Sequence, residues 1–282
     1  MRFRCALRLF AALFSLVAAP AFADALDDIA SSGRMKLGYR TDAPPFSSRN
    51  PEGKPEGLAV DLCREAAIRV AQALDLETLE LDYVPVTASD RFEALAGGRI
   101  HLLCGPTTQT LSRREEMDFS IPYFIDGASL VYRAGLVRDL ASLNGQTVGV
   151  LNGTTTEKVV ARMLEERGVN AEMRGFSRHD EGLKSLETGE IVAYFGDQAI
   201  LRYQIGALRP STPINFSTEQ FSFEPYALAM RRGESRLRLA VDRALSETFE
   251  SGAIFSLIAA SLGEVDLSDT VLAVYQVVTL PE

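Results

Sequence analysis

The chain has 282 residues, 46% hydrophobic and 24% charged, a balance that folds as a globule and leaves room for two domains. It contains no Trp, two His and three Cys, too few for a Cys-rich zinc module or a His-rich metal centre, so neither a metal nor a cofactor is expected. Acidic residues outnumber basic ones 38 to 29, a formal charge of −9, which disfavours nucleic acid and anionic membranes as partners.

Residues 1–23 have the pattern of a secretory signal peptide. Arg2, Arg4 and Arg8 precede an apolar run over 9–19, and Ala21-Phe22-Ala23 is a small-x-small cleavage site. The run is short for a membrane span; an uncleaved anchor is the alternative. Cys5 lies before the apolar run, not after it, which argues against a lipid anchor. Cleavage removes three Arg and no acid, so the mature form is more acidic still. Export also leaves Cys63 and Cys104 as an even pair in an oxidising compartment. A disulfide between them and two separate buried thiols both remain open.

Beyond the signal, strands and helices alternate. A strand over 35–39 leads into a Pro- and Gly-rich loop over 41–57. A helix over 58–74 carries the polar stripe Asp61, Arg64, Glu65, Arg69 and Gln72 at a period close to 3.6. Strands follow at 79–84 and 100–104, with helices at 91–96 and 113–116. A strand over 129–133 leads out of this half. The second half reads as strands 146–151, 171–176 and 191–195, each followed by a helix, at 157–167, 181–188 and 197–204. A returning strand over 223–230 precedes helices 234–250 and 254–262. The alternation predicts an α/β fold with mostly parallel sheets.

In open sheets of this kind ligands sit beyond the strand C-termini, at the following helix N-termini. Thr154-Thr155-Thr156-Glu157 follows a strand and Asn152-Gly153, and its hydroxyls and free N–H groups suit a carboxylate or phosphate. Without a Gly-Lys-Ser/Thr it is no nucleotide loop, and a plain helix cap is the simpler alternative. Thr107, Thr108 and Arg113 share a hydroxyl-rich loop whose guanidinium is a good carboxylate receptor. Arg91 opens a helix, where a cation opposes the dipole, and Arg40 ends the first strand; each alone reads more readily as structural. His101 sits in an apolar strand and is expected in the core or at an edge. His179 lies in a polar loop and is compatible with the surface. Gly175-Phe176-Ser177-Arg178-His179 lacks the fifth-position Gly of a hydrolase elbow.

Segments 37–46, 57–66, 91–123 (with Asp118-Phe119-Ser120-x-Pro122-Tyr123) and 143–157 together resemble the periplasmic solute-binding proteins of polar amino acid ABC transporters, bacterial extracellular solute-binding family 3. Pro85-Val86-Thr87 running to Arg91, Cys104-Gly105-x-Thr107-Thr108 running to Arg113, Gly153-Thr154-Thr155, His179 and Asp197 look most like the glutamate/aspartate-binding branch. That resemblance implies a two-lobed periplasmic-binding-protein (type II) fold, with lobe 1 at 24–130 plus 224–282 and lobe 2 at 131–223. Hinge crossings are expected near 130–134 and 224–228, and closure around the ligand by a hinge motion. It implies that Arg113, helped by Thr108, holds a ligand α-carboxylate and that Asp197 pairs with the α-ammonium. Arg40, Arg91, His179 and the Thr154/Thr155 helix end would surround a side-chain carboxylate. The implied partners are an amino acid and a membrane permease, with the protein itself a monomer and not an enzyme. A cyclohexadienyl dehydratase-like enzyme and a ligand-sensing receptor are the alternatives on the same fold. Ala88 and Pro106 stand where the branch commonly has Ser, which removes two polar contacts.

Overall fold

In the computed structural model residues 24–263, 267 and 269–281 are described; the expected signal at 1–23 lies outside them. Helix α1 (Ala25–Ser32) is capped by the Asp24 carboxylate and ends at Gly33. Strand β1 (Arg34–Arg40) follows, then three short strands, β2 (Asp42–Ala43), β3 (Ser47–Arg49) and β4 (Pro55–Glu56), inside the segment expected to be loop. Helix α2 (Leu58–Ala73), β5 (Glu80–Val86), α3 (Arg91–Ala96) and β6 (Leu102–Cys104) come next. Helix α4 (Leu111–Arg114) starts earlier than the expected 113–116 because the Thr110 hydroxyl accepts from Arg113 N at 3.2 Å and caps it there. Strands β7 (Met117–Phe119) and β8 (Phe124–Asp126) lead to β9 (Ala128–Arg133).

The second half runs β10 (Thr147–Leu151), α5 (Thr155–Glu166), β11 (Glu172–Phe176), α6 (His179–Thr188), β12 (Ala193–Asp197), α7 (Gln198–Leu208) and β13 (Ile214–Phe216). The returning strand is divided into β14 (Glu224–Tyr226) and β15 (Ala229–Arg231). Between them Ala227 N donates to Thr107 O (3.0 Å) and Leu228 N to Ser120 Oγ (3.0 Å), so the backbone changes partners mid-run. Helices α8 (Ser235–Glu250), α9 (Ala253–Leu262) and α10 (Asp269–Val278) complete the described chain.

These elements form two five-stranded sheets, ordered β5-β1-β6-β15-β7 and β11-β10-β12-β9-β13. Each has a parallel half, β5-β1-β6 in one and β11-β10-β12 in the other, and helices cover both faces. Successive strand residues point to opposite faces, which is why neighbours in sequence serve different cores. Leu130 and Phe195 pack with Val160 and Leu164 of α5, whereas Val131 and Tyr194 pack with Leu183 of α6 and Leu201 of α7. In the first sheet Met35, Leu37 and Leu102 meet α2 and α8, and Val86, Leu103 and Ala229 meet α3.

A two-stranded antiparallel ribbon, β8 with β14, joins the sheets. Of the segment 130–134, expected to be a crossing, all but its last residue lies in β9, between β12 and β13 of the second sheet; the ribbon strand β8 comes earlier in the chain, and β14 falls within the expected second crossing at 224–228. Cys63 on α2 and Cys104 at the end of β6 are bonded, with Cα atoms 6.0 Å apart. His101 is buried beside β6; its Nδ1 accepts from Lys36 N (3.1 Å) and its Nε2 lies 2.8 Å from Asp28, fixing α1 to β1. Among the described residues no helix is long and apolar enough to cross a membrane.

Candidate functional site

The C-terminal strand ends of both sheets point at one small enclosed cavity. Arg40 ends β1, Thr108 and Arg113 follow β6, Thr154 and Thr155 follow β10, and Asp197 ends β12. All of them line the cavity, with Arg91 and His179. Thr107 does not: its side chain is buried nearby and its carbonyl holds Ala227 N. A wider groove of about 720 Å³ lies behind the ribbon, against Phe124, Arg202, Tyr203 and Phe223, but the converging charges are in the small cavity.

Three guanidinium groups meet on one side. Arg40 is 3% exposed; its Nε donates to Asp42 Oδ1 (2.8 Å), and its Nη2 has no hydrogen-bond partner among the described residues. Burial pushes the Asp42 carboxyl up, but Arg40 outweighs that and holds it below the usual range. Arg91 is 2% exposed, and Nη2 donates to Gly153 O (3.1 Å) while Nε and Nη1 have no hydrogen-bond partner among the described residues. Burial, with Arg40 and Arg113 adding like-charge repulsion, lowers its pKa well below that of free Arg. Arg113 donates from Nη1 to Thr108 O (2.7 Å). The Phe92 ring lies 4.2 Å from the Arg91 guanidinium and 5.0 Å from that of Arg113, so one aromatic side chain supports both.

Gly153 brings the two halves this close. Its φ is +74°, and a Cβ there would meet Ala88 O at 3.1 Å. Thr154 then caps α5, accepting from Glu157 N (3.1 Å) and donating to Leu151 O (2.7 Å). Its hydroxyl is therefore committed locally, which leaves the free N–H groups of the helix end and the hydroxyls of Thr155 and Thr156 for other partners.

Carboxylates gather on the opposite side. Asp197 holds the N-cap position of α7 without capping it; its side chain turns inward instead, accepting from Thr156 Oγ1 (2.7 Å) and from Tyr226 OH. Glu224, 1% exposed on β14, accepts from Thr108, Thr155 and Ser222. Asp126 on β8 is buried beside Tyr226. Burial and then Asp197 push Asp126 up to about 8, and burial and then Glu224 raise Asp197. His179 is 4% exposed, its Nδ1 3.1 Å from Tyr194 OH; burial pushes it down to about 4, so it is neutral at pH 7. The surface position that its polar loop suggested is not where it lies.

Glu224, Tyr226 and Phe92 escaped the sequence reading of the site, and Thr156 entered it only as part of the Thr154–Glu157 run, with no role of its own. Only Glu224 left a trace, a lone acid in the aromatic run Phe221-Ser222-Phe223-Glu224-Pro225-Tyr226. The profile of the bacterial extracellular solute-binding proteins, family 3, matches residues 35–264. The chain belongs to that family. Within it, an L-glutamate/L-aspartate-binding protein of Pseudomonas aeruginosa is 31% identical over 90% of this chain and 86% of its own. A glutamate/aspartate import solute-binding protein of Escherichia coli K12 is 27% identical over 83% and 78%. A solved structure of an ancestral arginine-binding protein bound to glutamine superposes with a TM-score of 0.73 at 28% identity, over 82% of this chain and 99% of that one. The two-lobed α/β architecture of family 3 accounts for the two sheets and the ribbon between them.

Proposed function

We propose that this protein binds an acidic amino acid, glutamate, aspartate or a near relative, between two lobes in the periplasm and passes it unchanged to the permease of an ABC-type importer. The observation that carries the reading is Arg91. A guanidinium 2% exposed, with Nε and Nη1 unpartnered among the described residues and two further Arg nearby, calls for an anion. Arg40 and His179 flank the same side-chain carboxylate, with the N–H groups at Thr154 and Thr155. Arg113 grips the α-carboxylate and Asp197 pairs with the ammonium. The names of the Pseudomonas and Escherichia relatives support the same ligand class.

The cavity measures about 20 Å³, room for a group the size of one water. An amino acid therefore enters only when the halves part. Lobe 1 (24–130 plus 224–282) and lobe 2 (131–223) move about the ribbon, which shifts the first boundary from 130 back toward β8 at Phe124–Asp126. Thermal unfolding of protein stripped of co-purified ligand tests the function. At a hundredfold excess over Kd a ligand specific for the folded state stabilises it by about 2.7 kcal/mol. The melting temperature is expected to rise with glutamate or aspartate and to stay fixed with basic amino acids. A rise with lysine or arginine alone overturns the acidic assignment, and turnover of prephenate or arogenate overturns the binding role.

A further inference from the structure

Both oxygens of Glu224 are occupied. Oε1 accepts from Ser222 Oγ at 2.9 Å, and Oε2 accepts from the hydroxyls of Thr108 and Thr155. Thr108 follows β6 of the first sheet, and Thr155 opens α5 beside the second. One carboxylate oxygen on the ribbon thus ties the two halves together. The two hydroxyl oxygens also stand 3.2 Å apart.

A carboxylate only accepts, and a Thr hydroxyl carries a single proton. With both protons aimed at Oε2, neither hydroxyl has one left for its neighbour or for a ligand. Each presents only lone pairs to the cavity. The Thr108 carbonyl, already taken by Arg113 Nη1, adds no donor. Asp197 supplies further acceptor oxygens on the same side, its own hydrogen bonds coming from Thr156 and Tyr226. An array of acceptors repels a carboxylate and suits an N–H donor carrying positive charge.

We infer that Glu224 is a specificity-determining positioning residue that turns the Thr108 and Thr155 hydroxyls into paired acceptors for the ligand's ammonium group, across the junction of the two halves. The inference rests on the amino-acid reading above and revises one role within it. Thr108 serves the ammonium through its hydroxyl, and Arg113 holds the α-carboxylate without that hydroxyl's help. Ammonium recognition is then coupled to closure, because the two acceptors meet only when the halves do.

The test is calorimetry on the wild type and Glu224→Gln with L-glutamate and with glutarate, the same dicarboxylate skeleton without the amine. A glutamine side chain offers an N–H to the threonines and frees their protons. Wild type is expected to prefer L-glutamate, and Glu224→Gln to cut that preference by about tenfold or more, through weaker glutamate binding with glutarate nearly unchanged. Equal losses for both ligands would make Glu224 a purely structural tie and overturn the inference. Wild type that binds glutarate as tightly as L-glutamate overturns it too, while leaving the dicarboxylate reading intact. If the wild type instead takes another amino acid, the acidic-ligand reading fails, and the same comparison with that amino acid and its deaminated analogue decides the inference. If it takes no amino acid, both fall. Should Glu224→Gln not fold, Thr155→Val removes one acceptor and is expected to narrow the same ratio; an unchanged ratio overturns the inference.

Discussion

At the scale of single residues, the site sets cations against acceptors, and Arg91 is the cation whose removal discriminates most. Its Nε and Nη1 lack hydrogen-bond partners among the described residues, so under the proposed function truncation would strip the side-chain carboxylate of an acidic ligand of its buried counter-charge. Breaking such a pair costs roughly 2–5 kcal/mol. Arg91→Ala is expected to weaken glutamate by at least about thirtyfold and glutamine by far less, read by calorimetry. Equal losses for the two ligands would remove Arg91 from side-chain recognition. Arg91, Arg113 and Thr154 were legible in the sequence because each sits at a strand end or a helix start, where the fold class by itself places ligands. Glu224 was not. It lies within a strand with no helix behind it, and its partners Thr108, Thr155 and Ser222 come from three separate segments. His179 was misleading for a related reason: its sequence neighbours are polar, yet α6 begins at His179 itself and turns the imidazole inward against Tyr194.

At the scale of elements, the long periodic pieces were legible and the short ones were not. The stripe on 58–74 marked α2 to within a residue, since sixteen residues give the 3.6 period room to show. Strands β2, β3 and β4 span two or three residues each, too few for any alternation. The ribbon pairs β8 with β14 across the whole second half of the molecule, a register that no local pattern encodes. That ribbon also carries a testable titration. Tyr226 OH lies by both Asp126 Oδ2 (3.4 Å) and Asp197 Oδ2, and one phenolic proton cannot serve two carboxylates. A neutral Asp126 resolves the conflict by donating to Tyr226, which then donates to Asp197; this agrees with the rise to about 8 caused by burial and Asp197. A carboxyl raised on folding binds more protons in the native state, so it lowers stability as pH climbs from about 4 to about 8. Asp126→Asn keeps the donor and deletes the titration. Its stability is expected to match wild type near pH 4 and to exceed it by roughly 2–5 kcal/mol at pH 8. Urea unfolding at the two pH values checks this; a difference independent of pH would mean Asp126 is charged in the folded protein.

At the scale of the whole molecule, the proposed closure makes affinity depend on contacts that never touch the ligand. Gln204 Nε2 on α7 donates to Asp42 O on β2 (3.0 Å), and Arg178 Nη1 donates to Thr41 Oγ1 (3.2 Å). Both bonds join the second half to the first outside the cavity, so they stabilise the closed form regardless of what it encloses. A ligand that needs the closed form binds with an apparent Kd scaled by that form's population. One such bond is worth about 1 kcal/mol. Gln204→Ala is therefore expected to weaken every ligand by the same factor, about fivefold, with the glutamate-to-glutamine ratio unchanged. That signature separates it from Arg91→Ala, which changes the ratio between side chains, and from Glu224→Gln, which changes the ratio between amine and no amine. The chain has no Trp, so calorimetry across a ligand panel is a better readout than indole fluorescence. A selective loss in Gln204→Ala would place Gln204 in ligand recognition. No loss at all would mean that the Gln204 bond adds nothing to the stability of the closed form.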